Sequence, residues 1–219
     1  MAEIYDAHEQ GEIVKKWLRE NGSAIVMGLV IAFGGLFGFK QWQLWQVNNK
    51  QAAFAEFDVM SQLLSAGQLD AAVGNFQNLQ DSHSKTPYAS LAALQMARAR
   101  LEASQVDLAI GHYRQVMEQG RPPAIRIVAR ERLARLLLDQ GQPDEALQVI
   151  QGQGEIAGFE AIYAEVRGDI LVALGQQAEA ISAYQQALDS LEAGAGDRAM
   201  LVLKLESLGV IMPDESATS

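Results

Sequence analysis

AEVRGDILVALGQQAEAISAYQQAL, residues 164–188, reads as two antiparallel helices joined at a glycine. Gly175 ends the first helix, because a residue without a Cβ enters the left-handed C-cap conformation at no steric cost. After a short polar turn the second helix runs back, and the small Ala180 sits where the two cross closely. Tyr184, one helical turn beyond Ala180, lies on the same face and is placed to pack into a neighbouring unit. A single pair of this kind cannot bury its apolar face, so further pairs must stack on it.

Three earlier stretches carry the same pattern. They are LLSAGQLDAAVGNFQNL, RLEASQVDLAIGHYRQV and LLLDQGQPDEALQVIQG, with the turn position held by Gly67, Ser104 and Gly141. Five residues after each turn comes an alanine (Ala72, Ala109, Ala146), and four after that a large apolar side chain (Phe76, Tyr113, Ile150). With Ala180 included, the alanines are spaced by 37, 37 and 34 residues, the period of a repeated supersecondary unit. Asp70, Asp107 and Asp144 are placed to cap the second helices. This pattern resembles the tetratricopeptide repeat family, most clearly in residues 164–188, where Gly168 also occupies that family's small position in the first helix. Departures are Ser104 in place of glycine, Gln153 where a small residue is usual, and the missing closing proline in most units.

Chain breakers mark the joins between units: DSHSKTP at 81–87, QGRPP at 119–123 and QGQGEIAGF at 151–159. After Gly194 and Gly196, DRAMLVLKLESLG (197–209) reads as a final helix covering the exposed end of the stack, and MPDESATS (212–219) as a frayed tail.

Upstream of the repeats, NGSAIVMGLVIAFGGLFGF (21–39) runs nineteen residues without a charge, between Glu20 and Lys40. At about 1.5 Å per residue, residues 24–39 cover roughly 24 Å. The flanks to Trp17 on one side, and to Trp42 and Trp45 on the other, extend this to a bilayer's thickness and place the rings as interfacial anchors. A buried core helix would carry a polar face; this stretch has none and reads as one membrane-spanning helix. The apolar run exceeds a typical signal-peptide core, and the bulky FGFKQWQLW follows it in place of a small-x-small cleavage site, so it reads as an uncleaved signal-anchor. Lys15, Lys16 and Arg19 precede it and Lys40 and Lys50 follow, a bias that leans toward a cytoplasmic N-terminus. No breaker occurs from Lys40 through QVNNKQAAFAEFDVMSQLL (46–64), so the anchor is expected to run close to continuously into the first repeat helix.

The expected fold class is all-α, a single N-terminal transmembrane helix followed by an α-solenoid of tetratricopeptide-like helix pairs. Its expected parts are a cytoplasmic tail at 1–20, a transmembrane anchor at 21–41, a tetratricopeptide-like repeat domain at 42–209 and a flexible tail at 210–219.

From Gln46 onward 13 Lys and Arg stand against 22 Asp and Glu, which argues against nucleic acid as a partner, since phosphate binding needs a positive surface. Without cysteine the chain has neither disulfides nor thiolate chemistry, a composition compatible with either side of a membrane. His8, His83 and His112 are scattered over tail, linker and helix, and no HExxH, GxSxG, paired-carboxylate or phosphate-loop pattern occurs. His112 beside Tyr113 reads as a surface residue of a repeat helix. The chain therefore reads as non-enzymatic, with no catalytic site, cofactor or metal expected.

The whole arrangement resembles one family, the YfgM-like ancillary subunits of the bacterial Sec translocon, with VKKWLRENG (14–22) leading directly into the anchor as the most specific local likeness. The resemblance implies a single-pass inner-membrane protein with a periplasmic repeat domain. It also implies association with the Sec translocon and with a membrane-anchored periplasmic chaperone of the prolyl-isomerase type, in the handling of translocated proteins. Membrane lipid and unfolded substrate proteins complete the expected partners. A general envelope assembly scaffold, or a regulatory tether for a cytoplasmic signalling protein acting through residues 1–20, would share the anchor and the repeats.

Aligning the repeats puts Phe54, Leu91, Val128 and Ile162, then Phe57 and Leu94, then Ser61, Arg98, Arg135 and Asp169 along the inner helices, where such superhelices hold extended segments or helices. Phe54, Phe57, Leu91, Leu94, Arg98, Arg135 and Asp169 are the candidate partner-binding groove, with Arg98 and Arg135 as paired donors for carboxylates. The plainer alternative makes the apolar members ordinary core and the arginines solvated. The groove lacks the Lys and Asn set that clamps a terminal carboxylate. In the anchor, Ala24, Gly28, Ala32, Gly35 and Gly38 share a face and Gly34 with Gly38 forms a GxxxG, small enough to admit another membrane helix, although glycine is common in membrane helices generally. Arg121, Arg126, Arg130, Arg132 and Arg135 form one basic run in the acidic domain. A solvated face paired with Glu131 and Asp139 is the plain account of it, and an anionic-lipid or acidic-protein contact the sharper one.

Overall fold

A computed structural model describes residues 3–151, 158–191 and 198–211, and among them every regular element is an α-helix. Gln153, Gly194, Gly196, most of the glycine-rich join and the tail at 212–219 lie outside the described residues. The helices are α1 (Glu3–Ser65), α2 (Leu69–Ser82), α3 (Pro87–Glu102), α4 (Val106–Gln119), α5 (Pro123–Asp139), α6 (Pro143–Ile150), α7 (Glu160–Ala173), α8 (Gln177–Asp189) and α9 (Arg198–Ser207). The chain divides into two units, Met1–Ala52 and Ala53–Ser219.

In the first unit α1 carries its apolar side chains uncovered, Phe33 at 68% and Phe37 at 75% exposure. Among the described residues α1 is the one helix long and apolar enough to cross a membrane. It continues without a break into residues 53–65, as the lack of breakers requires.

The second unit is a stack of helix pairs: residues 53–65 with α2, α3 with α4, α5 with α6, and α7 with α8, closed by α9 on α8. Each pair turns by the same device. Gly67, Gly141 and Gly175 take φ values of 72°, 70° and 72°, and Ser104 holds the same left-handed conformation at 58°. The N–H groups of Gln68, Gln105, Gln142 and Gln176 then donate to the carbonyls of Leu63, Arg100, Leu137 and Leu171 at 2.9, 2.7, 2.9 and 2.9 Å, the long bond of a Schellman cap.

That cap displaces the aspartates from the role expected of them. The N-cap positions are Gln68, Gln105 and Gln142, whose side chains make no capping bond, while Asp70, Asp107 and Asp144 stand in the first turn. One glutamine closes the first helix and opens the second, so each aspartate arrives two residues too late to cap and acts instead on the positive end of the helix dipole.

Ala72, Ala109, Ala146 and Ala180 are fully buried at the crossings, and Phe76, Tyr113, Ile150 and Tyr184 are buried one turn later. Two apolar clusters result, and α7 feeds both: Tyr163, Val166 and Ile170 enter the first, Ala164 and Leu171 the second. Gly168 is the point of closest approach, since a Cβ built there would fall into the Tyr184 ring, 2.9 Å from Cζ. His112 departs from its expected surface placement. It is half-buried, its ring edge-on to Phe76 with centroids 5.0 Å apart, because α4 stacks on the preceding pair through that face.

Candidate functional site

The candidate groove residues fall into local sets. Phe54 and Phe57 rest their rings on Tyr88 at the start of α3, with centroids 5.5 and 5.8 Å apart. Phe54 stays half exposed, Leu91 is half-buried and Leu94 is buried. One helical turn beyond Phe57, Ser61 donates through Oγ to Gln95 Oε1 at 2.8 Å, and Ser61 and Arg98 line one cleft of about 360 Å³. Arg98 pairs through Nε with Glu102 at 2.9 Å, both side chains standing mostly in solvent, and Arg135 pairs in the same intrahelical way with Glu131. Exposed pairs of this spacing contribute about 0.3–0.5 kcal/mol, so Arg98 can exchange its partner for an incoming carboxylate, whereas Arg135 is half exposed and its partner Glu131 mostly buried.

Asp169 is held by its own chain. It accepts the Tyr184 hydroxyl at 2.7 Å and Lys204 Nζ at 2.7 and 2.9 Å, and Lys204 also donates to Glu165 at 2.6 Å. Burial, the bond to Asp169 and the charges of Asp169 and Glu165 together raise the Tyr184 pKa above its ordinary value. The cluster ties α7, α8 and α9 together. Neither Tyr88 nor Lys204 stood out beforehand: a lysine inside LVLKLES reads as solvated until α9 is docked.

The basic run divides three ways. Arg130 and Arg132 lie beside the hydroxyls of Tyr163 and Tyr113, and Arg135 is paired with Glu131. Tyr163 also donates to the Ile127 carbonyl at 2.8 Å, and its pKa is pushed up to about 12, chiefly by burial. Arg121 and Arg126 instead border a second cleft, of about 400 Å³, formed where α2, α3 and α4 meet the start of α5. Two bonds shape this segment: the Arg121 N–H donates to Ser90 Oγ at 2.8 Å, and Arg126 Nε to the Gly120 carbonyl at 2.7 Å.

In the first unit, Ala24, Gly28, Ala32, Gly35 and Gly38 are all exposed. A Cβ added at Gly28, Gly34, Gly35 or Gly38 would meet nothing within 4 Å, so among the described residues none covers the stripe.

Residues 15–210 match the tetratricopeptide repeat-like domain family. The chain is similar to three curated proteins named ancillary SecYEG translocon subunit. That of Aggregatibacter actinomycetemcomitans is 33% identical over 208 residues, spanning 93% of this chain and 99% of the relative. That of Haemophilus influenzae is 31% identical over 191 residues, 85% and 91% of the two chains, and that of Escherichia coli K12 27% over 212 residues, 95% and 100%. Among solved structures, MamA residues 41 to the end from Desulfovibrio magneticus RS-1 aligns with a TM-score of 0.50 at 18% identity, over 72% of this chain and 93% of that one. That likeness concerns the fold alone.

Proposed function

The chain belongs to the family of ancillary SecYEG translocon subunits, built on a tetratricopeptide repeat-like domain, and from that membership we propose a non-enzymatic, membrane-anchored adaptor that associates with the Sec translocon. The observation that carries this is the end-to-end likeness, 33% identity over 93% of the chain. The uncovered apolar helix α1 supports a single-pass inner-membrane protein. In finer detail, the tail at 1–20 lies in the cytoplasm, the anchor at 21–41 meets the translocon through the Gly28–Ala32 face, and the repeat domain at 42–209 works in the periplasm. There it meets a membrane-anchored chaperone of the prolyl-isomerase type and assists translocated proteins, with Arg98 and Arg135 available to a partner's carboxylates.

Photo-crosslinking tests the proposal. A photoreactive residue at position 28 or 32 is expected to capture translocon subunits, and one at position 54 or 98 a periplasmic chaperone, identified by mass spectrometry. Capture of second copies or unrelated envelope complexes alone would replace it with a general envelope scaffold. The Arg98→Glu/Arg135→Glu variant is expected to lose co-purifying periplasmic partners, and unchanged recovery would remove the groove from the account.

A further inference from the structure

The cleft bordered by Arg121 and Arg126 holds a charge that no described residue answers. The protein carries a net charge of −10, yet Lys85, Arg121 and Arg126 all line this cleft and no carboxylate does. Among the described residues neither Lys85 nor Arg121 makes an ion pair, and Arg126 commits only its Nε, to the Gly120 carbonyl. Elsewhere in the basic run Arg135 pairs with Glu131, and Arg130 and Arg132 lie beside Tyr163 and Tyr113, away from this cleft. Three clustered cations repel one another, and an incoming anion relieves that repulsion.

We infer that this cleft binds an acidic segment of a partner protein, taking neighbouring carboxylates together with their main chain. Its volume of about 400 Å³ falls within the roughly 300–1,000 Å³ of ordinary ligand pockets and exceeds what an inorganic phosphate fills. Gln115 and Gln119 also line the cleft; Gln115 Nε2 donates to Gln80 Oε1 at 2.8 Å, which leaves the Gln115 carbonyl oxygen to accept from a peptide backbone and the Gln119 amide both to donate and to accept. Val116 is the largest apolar side chain in the lining, so a lipid's acyl chains have nothing to lie against. Arg121 and Arg126 supply planar forks for carboxylates and Lys85 a point charge. The inference follows from the cleft and its charges and does not rest on the translocon assignment.

Fluorescence anisotropy on the full-length chain in neutral detergent tests it, with a labelled peptide of alternating Glu and Asp beside its Gln/Asn counterpart. The acidic peptide is expected to bind, more weakly as salt rises, and the neutral one not to bind. The Lys85→Glu/Arg121→Glu variant should lower the affinity at least about tenfold at an unchanged melting midpoint, since both side chains are exposed. Lys50→Glu/Arg198→Glu, the same change in net charge at two exposed positions that line neither cleft, should leave it within about twofold, and Lys85→Arg should preserve it. Equal affinity in wild type and the Lys85/Arg121 variant, an equal loss in both double variants, or binding of the neutral peptide would overturn the inference. So would displacement of the peptide by inorganic phosphate, or by phosphatidylglycerol in the micelles, beyond that caused by chloride at equal ionic strength.

Discussion

Ser104 holds φ at 58°, in a turn whose three counterparts use glycine. With a Cβ that conformation costs about 1 kcal/mol, so Ser104→Gly should stabilise the protein by about that amount, read as a raised midpoint in circular dichroism melts. A midpoint that stays or falls would show the serine to be unstrained. At Gly168 the effect runs the other way, because Tyr184 is buried and its hydroxyl is tied to Asp169, leaving the ring no room to swing aside. Gly168→Ala should cost about 1–3 kcal/mol, and combined with Tyr184→Leu the loss should fall short of the sum of the single variants. His112 gives a pH dependence: burial first, then the Arg100 charge, lowers its pKa below the usual value. The unfolded chain takes up that proton near pH 6.5 and the folded chain resists it, so this contribution is complete above about pH 6.5 and is lost as the pH falls through the folded pKa. Denaturation midpoints measured across that range should decline on acidification and flatten in His112→Gln. The turn positions and buried alanines were legible at this scale because conformation and size are written in residue type. The capping role of the aspartates was misread because a Schellman cap shifts the start of the next helix by two residues, and nothing local to an aspartate reports that.

Among the elements, α9 shows how far a local pattern reaches. Its existence and its place at the end of the stack follow from apolar spacing after the glycines, but the tie that holds it comes from Glu165 and Asp169, more than 30 residues earlier. Each of the three side chains is only about a quarter exposed, at 23%, 24% and 23% for Lys204, Glu165 and Asp169. Lys204→Met leaves two carboxylates facing each other without their cation, a loss of about 1–3 kcal/mol. Hydrogen exchange across α9 should accelerate while α3 and α4 keep their protection. Unchanged exchange would mean that Leu201 and Leu205, both buried, hold α9 by themselves. Continuity of α1 into the first repeat helix was readable for the opposite reason, since an absence of breakers is wholly local.

For the whole molecule, the two units Met1–Ala52 and Ala53–Ser219 divide the chain into a helix that no described residue covers and a stack with its own core. A chain of residues 46–219 should stay in the aqueous phase on detergent partitioning and melt cooperatively near the full-length midpoint, while the full chain enters the detergent phase. Loss of cooperative melting would mean that the stack needs residues before 46. The anchor, the helix pairs, their turns and their order are all dictated locally, by an unbroken apolar run, a left-handed cap and a period of 34 to 37 residues. Which charges remain available to a partner is not. Asp169 is tied up by Lys204 and Arg135 is paired with Glu131, while Lys85, Arg121 and Arg126 converge on one open cleft. Those outcomes depend on side chains that lie tens of residues apart and meet only once the pairs have stacked, which is why they belong to the folded protein and not to any stretch of its chain.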